Sequence, residues 1–193
     1  MKPALRRAWL QRLLLAASLF ASALLLAGCY ADLDWRKLAS EEGRFQMLMP
    51  ARTQSASREI APGVTMTVWS TSAGNALFGV SYTDYPDAAR VHLAEARDAL
   101  LRNVAGTLVE DGAGALPKGI SAGESRRIAI KGNLGGKGSG PGNTKVAEAG
   151  QEVTVHARLY AVDRRLYQLT LIGKGDKLTE SDRDMFFSSF ELR

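Results

Sequence analysis

The chain has 193 residues, with 25 Lys and Arg against 20 Asp and Glu, and its computed pI is about 9.5. Four of the basic residues and none of the acidic ones lie in residues 1–28, so residues 29–193 keep 21 basic (25 less 4) and 20 acidic residues, a net charge of +1. That balance excludes the basic surface on which nucleic-acid binding depends, and a single cysteine, Cys29, excludes an internal disulfide.

Residues 1–28 have the three parts of a secretory signal. Four basic residues precede an apolar run over residues 13–26, and the small residues Ala27 and Gly28 follow. The run has 14 residues, and a transmembrane anchor, the alternative, needs roughly 20. Arg6-Arg7 also resembles a twin-arginine export signal, but Trp9 stands where Phe is usual and no cofactor site is evident, so ordinary secretion is preferred.

The end of this leader, Leu26-Ala27-Gly28-Cys29, resembles the bacterial lipobox. The resemblance implies cleavage between Gly28 and Cys29, diacylglycerol on the Cys29 thiol, and a fatty acid such as palmitate on the new amino terminus. Two or more acyl chains anchor stably, since each buried CH₂ contributes ~0.8 kcal/mol. Tyr30 after the cysteine, where Asp would specify the inner membrane, implies an outer-membrane lipoprotein facing the periplasm, with residues 29–34 as a short tether.

The first half of the remaining chain predicts three strands. Residues 45–49 form an apolar run that Pro50 ends, because proline cannot donate to a strand ladder. After a polar segment to residue 60, residues 64–70 alternate apolar with hydroxyl side chains, which is typical of a half-buried strand. Turn residues at 72–75 then lead into a strand over 77–82, which indicates an antiparallel hairpin.

One long helix follows. Asp87 is placed to cap it, and glycines at 106 and at 112–114 are placed to end it. Five apolar residues recur at near-helical spacing and predict a face that packs on a sheet: Leu93, Ala96, Leu100, Val104 and Leu108.

The second half predicts a short strand at 126–131 and a long hairpin of residues 153–162 and 166–172, turning at 163–165 and central in the sheet. Between them, residues 132–143 hold six glycines in twelve positions and predict a mobile loop. Thr179, with Asp182 three residues later, resembles a capping arrangement for a helix over 180–187.

This order predicts one α+β domain over residues 35–193: a mainly antiparallel sheet of about six strands flanked by one long helix and a C-terminal helix. Gly43-Arg44-Phe45 leading to Pro50, the helix after Tyr82, Arg165-Leu166-Tyr167-Gln168 and the stretch 186–190 together resemble the PsbP-like α/β/α sandwich family. That family includes a photosystem II extrinsic subunit, a Ran-binding protein and many bacterial exported proteins. The resemblance implies binding or assembly and supplies no active-site residues.

Residues that could carry chemistry fail the tests of the known motifs. The glycine-rich loop lacks the spacing of a phosphate-binding loop, and Ser139 lacks that of a nucleophile elbow. His92 and His156 show no metal-ligand spacing and are interpreted as a surface and a sheet-face histidine. Glu110-Asp111 lies at a predicted helix end, where acidic residues serve turns and caps. We therefore expect no enzyme activity, metal or cofactor.

The aromatic residues are the remaining candidates for a functional site. Trp69, Tyr82 and Tyr160 would form a binding surface if they stood on the solvent face of the sheet, and core packing is the alternative. The sequence thus predicts a non-enzymatic, lipid-anchored envelope protein that binds or assembles another envelope protein and no nucleic acid. A small-molecule or lipid carrier with a pocket between sheet and helix is the alternative function.

Overall fold

The computed structural model describes residues 33–134, 150–174 and 179–193. The predicted leader, Cys29 and most of the glycine-rich stretch lie outside them. The elements in chain order are β1 (Arg36–Ser40), β2 (Phe45–Met49), β3 (Gln54–Ala61), β4 (Val64–Ala73), β5 (Ala76–Asp84), α1 (Leu93–Asn103), β6 (Thr107–Ala113), β7 (Glu124–Asn133), β8 (Glu152–Val162), β9 (Arg165–Gly173), α2 (Glu180–Ser188) and β10 (Glu191–Leu192). Neither helix of the described residues combines the length and apolar character that a membrane crossing requires.

The described strands form two antiparallel sheets. The larger has seven strands in the order β3-β4-β5-β9-β8-β7-β6, and the smaller has three in the order β1-β2-β10. The predicted α+β class is confirmed, and so is the central place of the β8–β9 hairpin. The predicted connection at 72–75 tightens to Gly74 and Asn75, which both adopt the positive φ that a two-residue hairpin turn needs.

Alternating side chains divide the larger sheet into two apolar faces. On one face, called here the α1 face, Ile130, Val155 and Leu159 pack with Leu93 and Leu100 of α1. On the opposite face, called the α2 face, side chains of β5, β8 and β9 pack with those of β2 and α2 in a second cluster. Strand β9 contributes to both faces, with Tyr167, Leu169 and Leu171 in the cluster of the α2 face and Leu166 in that of the α1 face.

Helix α1 is shorter than the spacing predicts. A 3₁₀ turn, Ala89–His92, precedes it, and Asp87 makes no cap but lies 2.7 Å from His92 Nε2. Ala105 then takes a left-handed φ of 42°, and the Gly106 N–H donates to the Leu101 carbonyl at 3.0 Å. The prediction that Leu108 extends the helical face is wrong, because Leu108 belongs to β6.

Helix α1 ends early because of a contact with the larger sheet. A Cβ on Gly106 would lie 2.4 Å from Ile130 Cγ2, so the chain passes β7 at a distance that only glycine permits. The helix therefore stops where the sheet is closest, and the chain continues as a strand along β7.

Helix α2 matches its prediction closely. The Asp182 N–H donates to Thr179 Oγ1 at 3.1 Å, while the Thr179 N–H donates to the Asp182 carboxylate at 3.3 Å, which completes a capping box. Phe186 and Phe187 are buried on the α2 face of the sheet.

Candidate functional site: a cationic patch on the larger sheet

Two arginines stand directly opposite each other on neighbouring strands. The β7–β8 register pairs Arg127 with Arg158 and Ala129 with His156. The intervening residues of β8 pack toward α1, so His156 and Arg158 lie on the α2 face. Directly opposite side chains have Cβ atoms only about 5 Å apart, which brings the two arginines into one site.

Helix α2 forms one side of this site. The Arg158 guanidinium lies over the ring of Phe187, 4.8 Å from its centroid, in a cation–π contact. Arg183 lies one turn before Phe187 and so shares the face of α2 that is turned toward the sheet. We call Arg127, His156, Arg158 and Arg183 the cationic patch.

The cationic patch is only partly neutralised. Glu110 of β6 forms an ion pair with Arg127, and Glu180, whose side chain is 82% exposed, lies 3.8 Å from Arg183. Arg158 has no carboxylate of the described residues within the 4.0 Å of an ion pair, and its one hydrogen bond there is a 3.5 Å contact from Nη1 to the Ala157 carbonyl. A guanidinium carries five N–H donors, so most of those of Arg158 are available.

The pKa values of the patch report the same excess of positive charge. Burial lowers the pKa of His156 below its usual 6.5, and Arg183 and Arg158 lower it further, against the opposing effect of Glu110. Burial also lowers the pKa of Arg158, and Arg127 and Arg183 act in the same direction, against the opposing effects of Tyr160 and Glu110. Arginine nevertheless stays protonated in proteins, so the site remains cationic and suits an oxyanion.

The aromatic residues of the predicted binding surface lie mainly in the core. Tyr82 is 4% exposed and Tyr160 is 5% exposed, because β2 and α2 cover this part of the α2 face. Trp69 is half-buried and packs edge-on to Phe45 at 5.3 Å. Core packing, the alternative interpretation of these aromatics, is what the structure shows for the two tyrosines, and the condition for a solvent-facing surface is not met there.

The other candidate residues have structural surroundings. His92 stacks on Tyr85 with ring centroids 3.7 Å apart and is not the plain surface histidine that was predicted, because it lies in the turn before α1. Glu110-Asp111 is not at a helix end but in β6, where Asp111 pairs with Arg97 and Arg126. No cluster of three or more His, Cys, Asp or Glu within the described ranges could hold a metal ion.

Sequence reasoning missed the cationic patch although one signal was present. His156 and Arg158 interrupt the apolar pattern of a strand predicted to be central, and a central strand covered on both faces should be apolar throughout. Polar residues at such positions indicate a part of the face that nothing covers. The other members come from β7 and α2, whose proximity only the fold reveals.

Comparison with known proteins adds information on the fold. No protein-family model matches the chain, and no curated protein matches it. The solution structure of cyanobacterial PsbP (CyanoP) from Synechocystis sp. PCC 6803 is similar, with a TM-score of 0.51 and 13% sequence identity, over 86% of this chain and 96% of that one. The fold is therefore of the PsbP type.

A crystal structure from Bacteroides thetaiotaomicron VPI-5482 also resembles the chain, with a TM-score of 0.41 and 12% sequence identity. The match covers 82% of this chain and 48% of that one, so the chain spans about half the length of the Bacteroides protein.

Proposed function

We propose that this chain is a non-enzymatic, lipid-anchored envelope protein that binds or assembles another envelope protein through the cationic patch. The observation that carries the proposal is Arg158, a half-buried cation that is held against Phe187 and has hydrogen-bond donors to spare. An unpaired buried charge is costly, and such sites are typical of binding surfaces whose counter-charge comes from a partner.

The anchor rests on the lipobox resemblance of Leu26-Ala27-Gly28-Cys29. The Asp34 N–H donates to the Pro50 carbonyl at 2.8 Å, so the fold already includes Asp34. An extended chain reaches only ~3.5 Å per residue, and a tether from Cys29 would therefore keep the domain close to the bilayer. Tyr30 favours the outer membrane, and the inner membrane is the alternative.

A binding role is preferred to catalysis because the patch offers charge without reactivity. Arginine neither accepts nor releases a proton near neutral pH, and within the described residues His156 forms no hydrogen bond or ion pair with a serine or a carboxylate. The carrier alternative needs a cavity between sheet and helix, where Leu93, Leu100 and Val155 are instead in mutual contact within a buried cluster.

Photo-crosslinking in the native host tests the proposal. A photoreactive residue replaces Lys131, which is exposed and lies on the face of the patch two residues beyond Ala129, and a control replaces Ser55 in the edge strand β3. We expect a discrete protein adduct from position 131 and none from position 55. A co-purified lipid without a protein adduct would support the carrier instead, and identical patterns from both positions would contradict the proposal.

A further inference from the structure

We infer that Arg158 forms an oxyanion subsite that receives a carboxylate from an acidic segment of the partner protein. This inference rests on the proposed binding function and names the chemistry of the partner. The subsite consists of Arg158, its cross-strand neighbour Arg127, and Arg183 from α2.

The strand register places two like charges opposite each other. Like charges directly opposite on neighbouring strands destabilise a sheet, and here Arg127 faces Arg158. Glu110 forms an ion pair with Arg127, but no described carboxylate forms one with Arg158, on which Glu110 acts only at longer range. An anion bound between the two guanidinium groups would convert their repulsion into attraction, so the site is complementary to a ligand that the described residues do not provide.

The Arg158 guanidinium is already held in position by Phe187. The cation–π contact with Phe187 holds the Arg158 guanidinium 4.8 Å from the ring centroid, and among the described residues its one hydrogen bond is the 3.5 Å contact to the Ala157 carbonyl. A planar guanidinium with free donors matches the two oxygens of a carboxylate in a bidentate pair. Because the group is already positioned, less conformational entropy is lost when the anion binds.

The cationic patch is small and is bordered by acidic residues. The positive charge is local, since residues 29–193 carry a net charge of only +1 and Glu110 and Glu180 border the site. A nucleic acid would need a longer basic stripe. The neighbouring edge strand β6 exposes 60% of Val109 beside Glu110, which suits a segment that combines carboxylates with an apolar side chain.

Fluorescence anisotropy on the detergent-purified protein tests the inference. The probe is a fluorescein-labelled peptide in which Glu-Asp pairs alternate with Leu-Val pairs, and its matched control has Gln-Asn in place of Glu-Asp. We expect the acidic probe to bind at least about tenfold more tightly than the amide probe, since bonds to charged groups are the stronger ones. Arg158→Gln should abolish that preference, while Arg158→Lys, which keeps the charge without the fork, should retain part of it.

The matched control variant is Arg102→Gln, which removes the same charge from an exposed position of α1. Its Kd for the acidic probe should stay within about twofold of the unaltered protein. Equal losses in Arg102→Gln and Arg158→Gln would show long-range attraction only and overturn the inference. Displacement of the probe by an equal concentration of inorganic phosphate would also overturn it, in favour of a phosphoryl ligand.

Failure of this inference can be told apart from failure of the proposed function. If position 131 still crosslinks to a discrete protein while the acidic and amide probes bind equally, the partner exists but its contact is not acidic. If the adduct is absent as well, the patch is not a protein-binding surface.

Discussion

At the scale of single residues, Arg158 combines a cost to stability with a proposed role in binding. Its side chain is half-buried, faces Arg127 across the strands, and forms no ion pair with the described residues, although the charge of Glu110 favours it from a longer distance. The contact with Phe187, the alkyl part of the side chain and the charge of Glu110 favour its position. This cost to stability supports the proposed binding role of Arg158.

Arg158→Met should therefore raise the thermal stability. Methionine keeps an apolar contact with Phe187 and removes both the repulsion from Arg127 and the cost of a half-buried charge. A gain of about 0.5–1 kcal/mol corresponds to a Tm increase of about 1–4 °C for a domain of this size, measured by circular dichroism. Arg102→Met on the exposed face of α1 is the control and should leave Tm unchanged, whereas a lower Tm for Arg158→Met would assign Arg158 a structural role.

His156 should make stability depend on pH in the mildly acidic range. Its pKa in the folded chain is lowered by burial and by Arg183 of α2 and Arg158 of β8, with Glu110 of β6 opposing. The unfolded chain then binds the proton more readily, so this contribution is fully present above pH ~6.5 and is lost as the pH falls from there toward the lower folded pKa. In Tm measurements between pH 7.5 and 5, His156→Gln should lose less stability than the unaltered protein, and parallel curves would rule out this role.

At the scale of elements, the segments that could be predicted are those whose signals are local. The capping box of α2 needs only Thr179 and Asp182, and the β8–β9 hairpin needs only alternation and a short turn. Helix α1 could not be bounded in this way, because its end depends on the contact between Gly106 and Ile130, residues far apart in sequence. Strand β3 was missed because all its side chains are exposed, which leaves no apolar alternation to detect.

Thr179→Ala should weaken α2. The change removes the acceptor for the Asp182 N–H at the first turn of the helix, which typically costs about 1 kcal/mol. For a domain of this size, the expected decrease in Tm is about 2–4 °C. Ser181→Ala, in the same exposed turn but without a capping contact among the described groups, is the control. Equal Tm values for the two variants would mean that the capping box contributes nothing to stability.

At the scale of the whole molecule, the fold class follows from the order of strands and helices, but the cationic patch does not. Arg127, Arg158 and Arg183 come from three elements, and only the antiparallel register and the docking of α2 bring them together. Tyr82 and Tyr160 were predicted as binding residues instead, because large aromatics occur both on binding surfaces and in cores. The burial of a side chain cannot be predicted from the sequence of a strand that is covered on both faces.

Cys29→Ser tests the proposed anchor. Serine has no thiol to receive diacylglycerol, so incorporation of a labelled fatty acid should be abolished and the precursor should remain uncut by the lipoprotein peptidase. Ser22→Ala, within the apolar run of the leader, is the control and should be labelled and cleaved normally. Normal labelling and cleavage of Cys29→Ser would remove the basis for the membrane location.

The most direct test of the central claim combines the crosslink with the patch. With the photoreactive residue at position 131, the account predicts a discrete protein adduct that is lost in Arg158→Gln and retained in Arg102→Gln, at equal protein levels. An adduct of equal yield in both variants, or no adduct beyond that from position 55, would contradict the claim that the cationic patch binds an envelope partner.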